Sequence, residues 1–519
     1  MSRTKLTNRL APTYIQRLPE RWAVFILLLI AAIARFLTIT KASVWHDEGF
    51  SAMLASRTPL EIWAGSARDV HPPLYYELLH YWMQIFGTSE LAMRSMSAVA
   101  GIATIFIIYI LVKRHFGRAA ATISLSLLAI APMLVRYSQE ARMYGILGLF
   151  LIGGTYALLR ATEHVHPDWR WWSIYVLTMA AGLYTHYFTV FAIVAHWLYL
   201  MTLERPWKWR LGKSRWLRID WWLANLGMVV LWLPWLPAFY GQFTRGQGIS
   251  WIPATTIYTL PKSVWQNFTF TDAMALPSLV FWAIPGITLG LILWISWLHK
   301  HEHKEIRALF WYTVLPIGAT IAVSTIKPIY QDRYLVFAAY GLYTLLGIAL
   351  TQLIRQHQAT GAAALIGTLI IFGIGVGNVA RQATHSMKVV GEYVSQTGDV
   401  VVSAELYTYF DFSYYCNSCD DSRNTFKVNY TDMIKSTLLL NTSATSYGRP
   451  NGYGESSLLY DRADKIYVDD LSTIKPANGR LWMIGKPGEQ KYWKATPANW
   501  QQLDQIKTNS SEARLYQVQ

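Results

Sequence analysis

Two adjacent carboxylates, Asp47 and Glu48, stand in the run Trp45-His46-Asp47-Glu48-Gly49-Phe50, directly after the first long apolar stretch of this 519-residue chain. Ionisable groups at the edge of hydrocarbon are costly and mark functional sites by default. A carboxylate in a cleft at that depth can take the proton of an attacking hydroxyl, and burial beside apolar walls is expected to raise its pKa toward the useful range. A second polar run, Arg136-Tyr137-Ser138-Gln139-Glu140-Ala141-Arg142-Met143-Tyr144, interrupts the apolar sequence again. Counting spans puts Arg94, Glu140, Arg142, His186 and Arg333 on the same membrane face as Asp47 and Glu48. Arginines near a carboxylate suit a reaction whose leaving group is an anion, because guanidinium grips phosphate through paired N–H donors. Transfer from a lipid phosphate fits that pairing.

Each of these residues also has a plainer reading. Arg94 can mark the interfacial end of a span, Arg142 can pair with Glu140, and Arg333 with Asp332. His71, held by Pro72 and Pro73, can be an interface histidine, and His186 can serve a tight hairpin. Asp47, Glu140 and His71 also offer a possible divalent-metal set.

The elements that must position these groups are membrane helices. A hydrophobic content of 53% against 15% charged residues, with repeated apolar runs near 20 residues, indicates a polytopic membrane protein. About eleven spans are expected, near 23–40, 91–112, 119–135, 143–159, 171–185, 188–203, 221–240, 275–298, 308–326, 334–353 and 361–380. The net charge of +15 is concentrated between spans rather than in a nucleic-acid-binding surface. Arg3, Lys5, Arg9, Arg17 and Arg21 precede the first span, Lys113, Arg114 and Arg118 follow the second, Arg205 to Arg218 the sixth, and Lys300, Lys304 and Arg307 the eighth. Alternation places all of these on one side, which makes that side cytoplasmic. The organisation expected is a cytoplasmic basic N-terminus at 1–22, a transmembrane domain at 23–380 with an outer loop at 41–90, and a soluble outer domain at 381–519.

Within the outer loop, Leu74 to Phe86 has apolar groups at helical spacing and reads as an amphipathic interfacial helix. A shorter helix from Pro59 to Ala67 starts after the capping residue Thr58. The loop at 241–272, with Gly246, Gly248, Pro253 and Pro261, reads as irregular cover. In the last domain, Val400-Val401-Val402, Lys465 to Val468 and Arg480 to Ile484 read as short buried strands of a small α/β or α+β fold. Its cysteines, Cys416 and Cys419, are the chain's only two and suit a local disulfide in an oxidising compartment.

The acidic pair after the first span, the His71-Pro72-Pro73-Leu74-Tyr75 loop, Arg94 at the start of the second span and the Gln139-Glu140-Ala141-Arg142-Met143-Tyr144 segment together resemble the GT-C glycosyltransferases. The resemblance is to the protein-O-mannosyltransferase and lipid A aminoarabinose-transferase type, in the bacterial family 39 or RgtA/B/C/D-like branch, and covers roughly residues 20–380. It implies an integral membrane enzyme that transfers a sugar from a polyprenyl-phosphate-linked donor to an acceptor hydroxyl, with inversion, outside a bacterial plasma membrane. It implies Asp47 as general base, Glu48 as its neighbour in the acidic motif and Glu140 as a second acidic group, with no catalytic metal. Arg94, Arg142 and Arg333 are the candidates for the donor phosphate, chosen by charge and topology, and His71, Tyr75, Tyr144 and His186 for substrate contact. The acceptor is a lipid, glycan or protein, membrane lipids surround the site, and no cofactor is expected. A lipid-linked sugar flippase or transporter is the alternative, but that class more often carries charges deep within broken helices.

Overall fold

The computed structural model describes residues 19–163, 166–203, 214–245, 252–298, 303–382, 386–416, 437–440, 454, 457–459, 467–489, 493–494 and 496–518. The described residues begin with α1 (Glu20–Phe36), followed by α2 (His46–Ala55), α3 (Pro59–Arg68) and α4 (Leu74–Phe86), which lie outside the main bundle. Next come α5 (Glu90–Phe116), α6 (Arg118–Ile130), α7 (Pro132–Ser138), α8 (Tyr144–Ala161), α9 (Trp169–Leu183) and α10 (Thr189–Thr202). The second half of the bundle holds α11 (Ile219–Trp232), α12 (Leu236–Arg245), α13 (Thr259–Thr269), α14 (Ser278–Leu298), α15 (Lys304–Ser324), α16 (Val336–Gln356) and α17 (Gln358–Arg381). Helices α18 (Met387–Ser395) and α19 (Leu406–Tyr415) belong to the C-terminal domain.

All eleven expected apolar runs are helical. Among the described residues, seven helical stretches are long and apolar enough to cross a membrane, or eight if the bent pair α6 and α7 is one span. Helices α1, α9 and α10 are shorter, at 17, 15 and 14 residues. The most buried span is that of α16, which runs through the bundle centre as a continuous apolar segment.

Pro132 lacks an amide hydrogen and breaks the ladder between α6 and α7, which bend by 55°. The carbonyls freed at the end of α6 are satisfied by Arg35, which donates to Leu128 O at 3.3 Å and Ala129 O at 2.9 Å and reaches Ser138 Oγ at 3.3 Å. Gln139 similarly donates to the last carbonyls of α1, those of Ala34 and Arg35, and to Thr38 Oγ1. The polar turn 139–143 is thereby anchored to the same end of the bundle as the start of α2.

Helix α4 has the expected bounds. It buries Tyr75, Tyr76, Leu79 and Met83 and exposes Tyr81, Ile85 and Phe86, as an interfacial helix does. At the start of α3 the amide and hydroxyl of Thr58 donate to Glu61 at 3.0 and 2.7 Å. The cover loop departs from expectation. Thr259–Thr269 is helical, because Pro261 falls in the first turn, where its missing donor costs nothing, and 246–251 lies outside the described residues.

The C-terminal domain contains a six-stranded sheet in the order β3-β2-β1-β4-β6-β5, with β1 (Val400–Ser403), β2 (Thr437–Leu440), β3 (Tyr467–Val468), β4 (Arg480–Gly485), β5 (Gln501–Lys507) and β6 (Glu512–Gln517). Strands β3, β2, β1 and β4 are parallel and the β5–β6 hairpin is antiparallel. Cys416, which ends α19, is disulfide-bonded, and the chain's other cysteine, Cys419, lies outside the described residues.

Candidate active site

Helix α2, for which the sequence carries no clear periodicity, holds the acidic pair on its first turn. Consecutive helical residues point about 100° apart, and the two carboxylates accordingly meet different surroundings. Glu48 is fully buried and faces Arg94, whose Nε and Nη2 donate to Oε1 at 2.8 Å and Oε2 at 2.6 Å. Arg94 also donates to the carbonyls of Ile39, Ala42 and Ser43, and the amide of Ala141 donates to Glu48 Oε1 at 2.7 Å. This cluster ties the end of α1, α2, α5 and the 139–143 turn together. Burial works to raise the pKa of Glu48, but Arg94 and the Ala141 amide outweigh it and hold it below the ordinary range. Arg94, expected at the donor phosphate, here directs its donors at protein acceptors, and Glu48 is the post that anchors it.

Asp47 turns toward a different set. Its Oδ2 lies 3.7 Å from Arg142 Nε and 3.4 Å from Arg333 Nη1, while Oδ1 lies 3.3 Å from His46 Nε2. Arg142 is fixed by donating to Asp47 O at 3.2 Å and Ser51 Oγ at 3.1 Å. Arg333 lies over the rings of Trp45 and Tyr334, both at 5.5 Å. The expectation that burial raises the pKa of Asp47 is overturned. Burial does push upward, but Arg142, His46 and Arg333 together pull it below the ordinary value, so Asp47 is ionised at neutral pH.

Glu140 pairs with Arg136 at 2.7 Å, leaving Arg142 to Asp47, and Asp332 accepts from Ser263 and Tyr330, leaving Arg333 to Asp47 as well. The pKa of Glu140 moves the opposite way to that of Asp47: burial raises it and Arg136 offsets only part. Its Oε2 is buried without a hydrogen-bond partner, and so are the hydroxyls of Tyr75 and Tyr144. Buried polar atoms of this kind call for a ligand or ordered water. The Tyr144 ring lies 6.4 Å from that of Tyr334, which lies 5.3 Å from the ring of His186. His186 is 5.9 Å from His71, and His71 Nδ1 lies 3.3 Å from Asp69 Oδ2. Burial, followed by His71 and the two arginines, holds His186 well below its usual pKa and therefore neutral.

The structure thus gathers Asp47, Arg142, Arg333, Tyr144 and His186 into one locality, with His71 beside it. Glu140 borders the same charges through its field on Asp47 and Arg333. No group of three His, Cys, Asp or Glu side chains suited to a metal is present among the described residues. The set of Asp47, Glu140 and His71 is not among such groups: Asp47 Oδ2 faces Arg142 and Arg333, and Glu140 Oε1 pairs with Arg136.

Several residues here had no signal in the sequence. Helix α19 packs on α2 so closely that a Cβ at Gly49 would sit 2.7 Å from Phe410 O. The Tyr407 ring lies 4.2 Å from that of His46, and Phe410 meets Phe50 at 5.7 Å. The amide of Val44 donates to the Tyr415 hydroxyl at 2.6 Å, and Tyr415 in turn donates to Glu90. These contacts join residues more than 300 positions apart, which neither spacing nor periodicity can reveal.

Residues 70–236 match the family model described as dolichyl-phosphate-mannose-protein mannosyltransferase. Two Bacillus subtilis proteins, named "Putative mannosyltransferase YkcB" and "Putative mannosyltransferase YycA", are 28% and 30% identical over 98 residues. That stretch is 19% of this chain and 14% of the length of either relative. Among solved structures, ArnT from Cupriavidus metallidurans bound to undecaprenyl phosphate aligns with a TM-score of 0.66 at 14% identity, covering 96% of this chain and 98% of that one. An oligosaccharyltransferase from Archaeoglobus fulgidus tethered to an acceptor peptide aligns with a TM-score of 0.55 at 11% identity, over 92% of this chain and 70% of that one. The chain is an integral membrane protein with the GT-C fold.

Proposed function

We propose that this protein is an inverting glycosyltransferase that moves a sugar from a polyprenyl-phosphate donor to an acceptor hydroxyl on the outer face of a bacterial plasma membrane. The observation that carries the reading is the Asp47 carboxylate set between Arg142 and Arg333. The acceptor oxygen attacks the anomeric carbon while Asp47 takes its proton, and the bond from that carbon to the phosphate oxygen breaks. A single displacement inverts the centre. The departing phosphate carries negative charge, which two fixed guanidinium groups stabilise at low reorganisation cost. They supply what a metal would otherwise supply, so the reading needs no resident cation.

The unpartnered hydroxyls of Tyr75 and Tyr144 and the free Oε2 of Glu140 offer donors and acceptors for a sugar ring, and the neutral His186 borders them. The description of the matched family model and the undecaprenyl phosphate bound by the structurally similar ArnT support a lipid-phosphate donor. The basic termini of α5 and α15 lie at the other end of the bundle from Asp47, which supports an outward-facing site. The test is to incubate purified protein with a panel of polyprenyl-phosphate sugars, with and without candidate lipid, glycan and peptide acceptors. Release of polyprenyl phosphate with at least one sugar is expected. Turnover of nucleotide sugars alone would sink the reading.

A further inference from the structure

Asp47 ends each turnover of the proposed reaction holding a proton, in surroundings that favour its charged form. Arg142 and Arg333 face Oδ2, so that side presents guanidinium groups, which take up no proton. On the other side, Oδ1 is 3.3 Å from His46 Nε2, and the His46 side chain is 18% exposed against 8% for Asp47. His46 is therefore both adjacent and nearer to solvent. It is not held by α2 alone, because the C-terminal domain closes over it: Tyr407 packs its ring 4.2 Å away, and Gly49 lets α19 approach to backbone contact. Asp411, one turn beyond Tyr407, is buried with its Oδ1 unpartnered and lies within the electrostatic reach of both His46 and Asp47. Burial holds the Asp411 carboxyl well above its usual pKa, and His46 offsets part of that.

We infer that His46 is the proton exit of the site, and that Tyr407 of the C-terminal domain is a positioning residue that holds it. The inference rests on Asp47 acting as the base. In this step the O–H bond on Asp47 breaks, an N–H bond forms at His46 Nε2, and the imidazolium then loses a proton to water. Asp47 is left ionised for the next acceptor. The groups that face this exchange are Asp47 and Glu48 on α2, Arg142 and Arg333 across the site, and Glu405, Tyr407 and Asp411 from the C-terminal domain. Lys486 reaches in as well, pairing with Glu405 at 3.0 Å and lying over the Tyr407 ring at 5.1 Å. The C-terminal domain is on this view a part of the active centre.

The experiment measures polyprenyl phosphate release by the full-length protein from a polyprenyl-phosphate hexose, with a simple alcohol as acceptor, across pH 5.5 to 9 in a weak buffer. His46→Gln should lower kcat about tenfold or more, toward the range acid–base groups contribute, and leave the donor KM unchanged. His46→Ala should be slow in the weak buffer and recover on addition of imidazole, which a purely structural role would not allow. Tyr407→Ala should lower kcat, and Tyr407→Phe, which keeps the ring, should restore it. Wild-type kcat in both His46 variants, or a slow His46→Ala that imidazole leaves unchanged, overturns the relay. Asp47→Asn separates the two ideas. If it is inactive while the His46 variants run normally, the base stands and the relay falls; if it turns over normally, both fall.

Discussion

Asp47 and Glu48 are neighbours on one helical turn, both beside arginine, and both held below the ordinary carboxylate range. Their surroundings nonetheless divide their roles. Glu48 and Arg94 spend their donors and acceptors on each other and on the backbone of two segments, 39–43 and Ala141, with short, directed bonds. Asp47 meets Arg142 and Arg333 at 3.7 and 3.4 Å, beyond ordinary hydrogen-bond length, with an imidazole on its other oxygen. A saturated pair resists exchange, whereas a loosely held one can trade partners with a substrate. The difference separates a brace from a reactive group more clearly than residue type or charge does.

The largest effect that would break this comparison is on the brace. Arg94→Ala leaves a buried carboxylate unpaired and is expected to cost about 3–5 kcal/mol, seen as loss of monodisperse protein in detergent. A well-folded Arg94→Ala that only weakens donor binding would return Arg94 to the phosphate site. A smaller effect is expected across from Asp47. Arg142→Ala or Arg333→Ala should stay folded and weaken polyprenyl phosphate binding roughly tenfold, in line with the worth of a charged hydrogen bond. Lysine should restore only part, since it offers a point charge rather than a fork. Unchanged affinity in all four variants would remove both arginines from the site.

The smallest effect lies in the pH dependence of thermal stability. Asp47 and Glu48 have lowered folded-state pKa values, so their stabilisation is present above their unfolded values near about 4 and is lost as the pH falls through the folded values. Glu140 is raised, so its contribution has the opposite sign: it is present below the unfolded value and lost as pH rises through the folded one. Glu48→Gln should flatten the acid limb of a melting-temperature profile, and Glu140→Gln should remove a loss on the neutral side. Identical limbs in wild type and both variants would mean that these environments are misassigned.

Much of the frame is legible in the sequence. Apolar runs near 20 residues mark the helices, and the alternation of apolar and polar groups along α4 marks its bounds. The strands with buried β-branched or aromatic runs, β1 and β4, are visible for the same reason. The hairpin of β5 and β6 is not, because Gln501–Lys507 is mostly polar and exposed and its pairing rests on backbone bonds to β6. The short α2 is also hidden, since its ten residues are almost all buried and show little amphipathic contrast.

The sequence by itself determined that this chain lies in a membrane, which end of its helices collects the charged groups, and that Asp47 belongs to that collection. Hydropathy and basic-residue bias are properties of short segments, so a linear reading captures them. Only the tertiary structure decided which arginine serves which acid, that Arg94 is consumed by Glu48, and that Tyr407 closes over His46. Those choices depend on distances of 2.6 to 4.2 Å between side chains drawn from far-apart segments. A shift of one such distance exchanges a brace for a reactive group without changing a single residue.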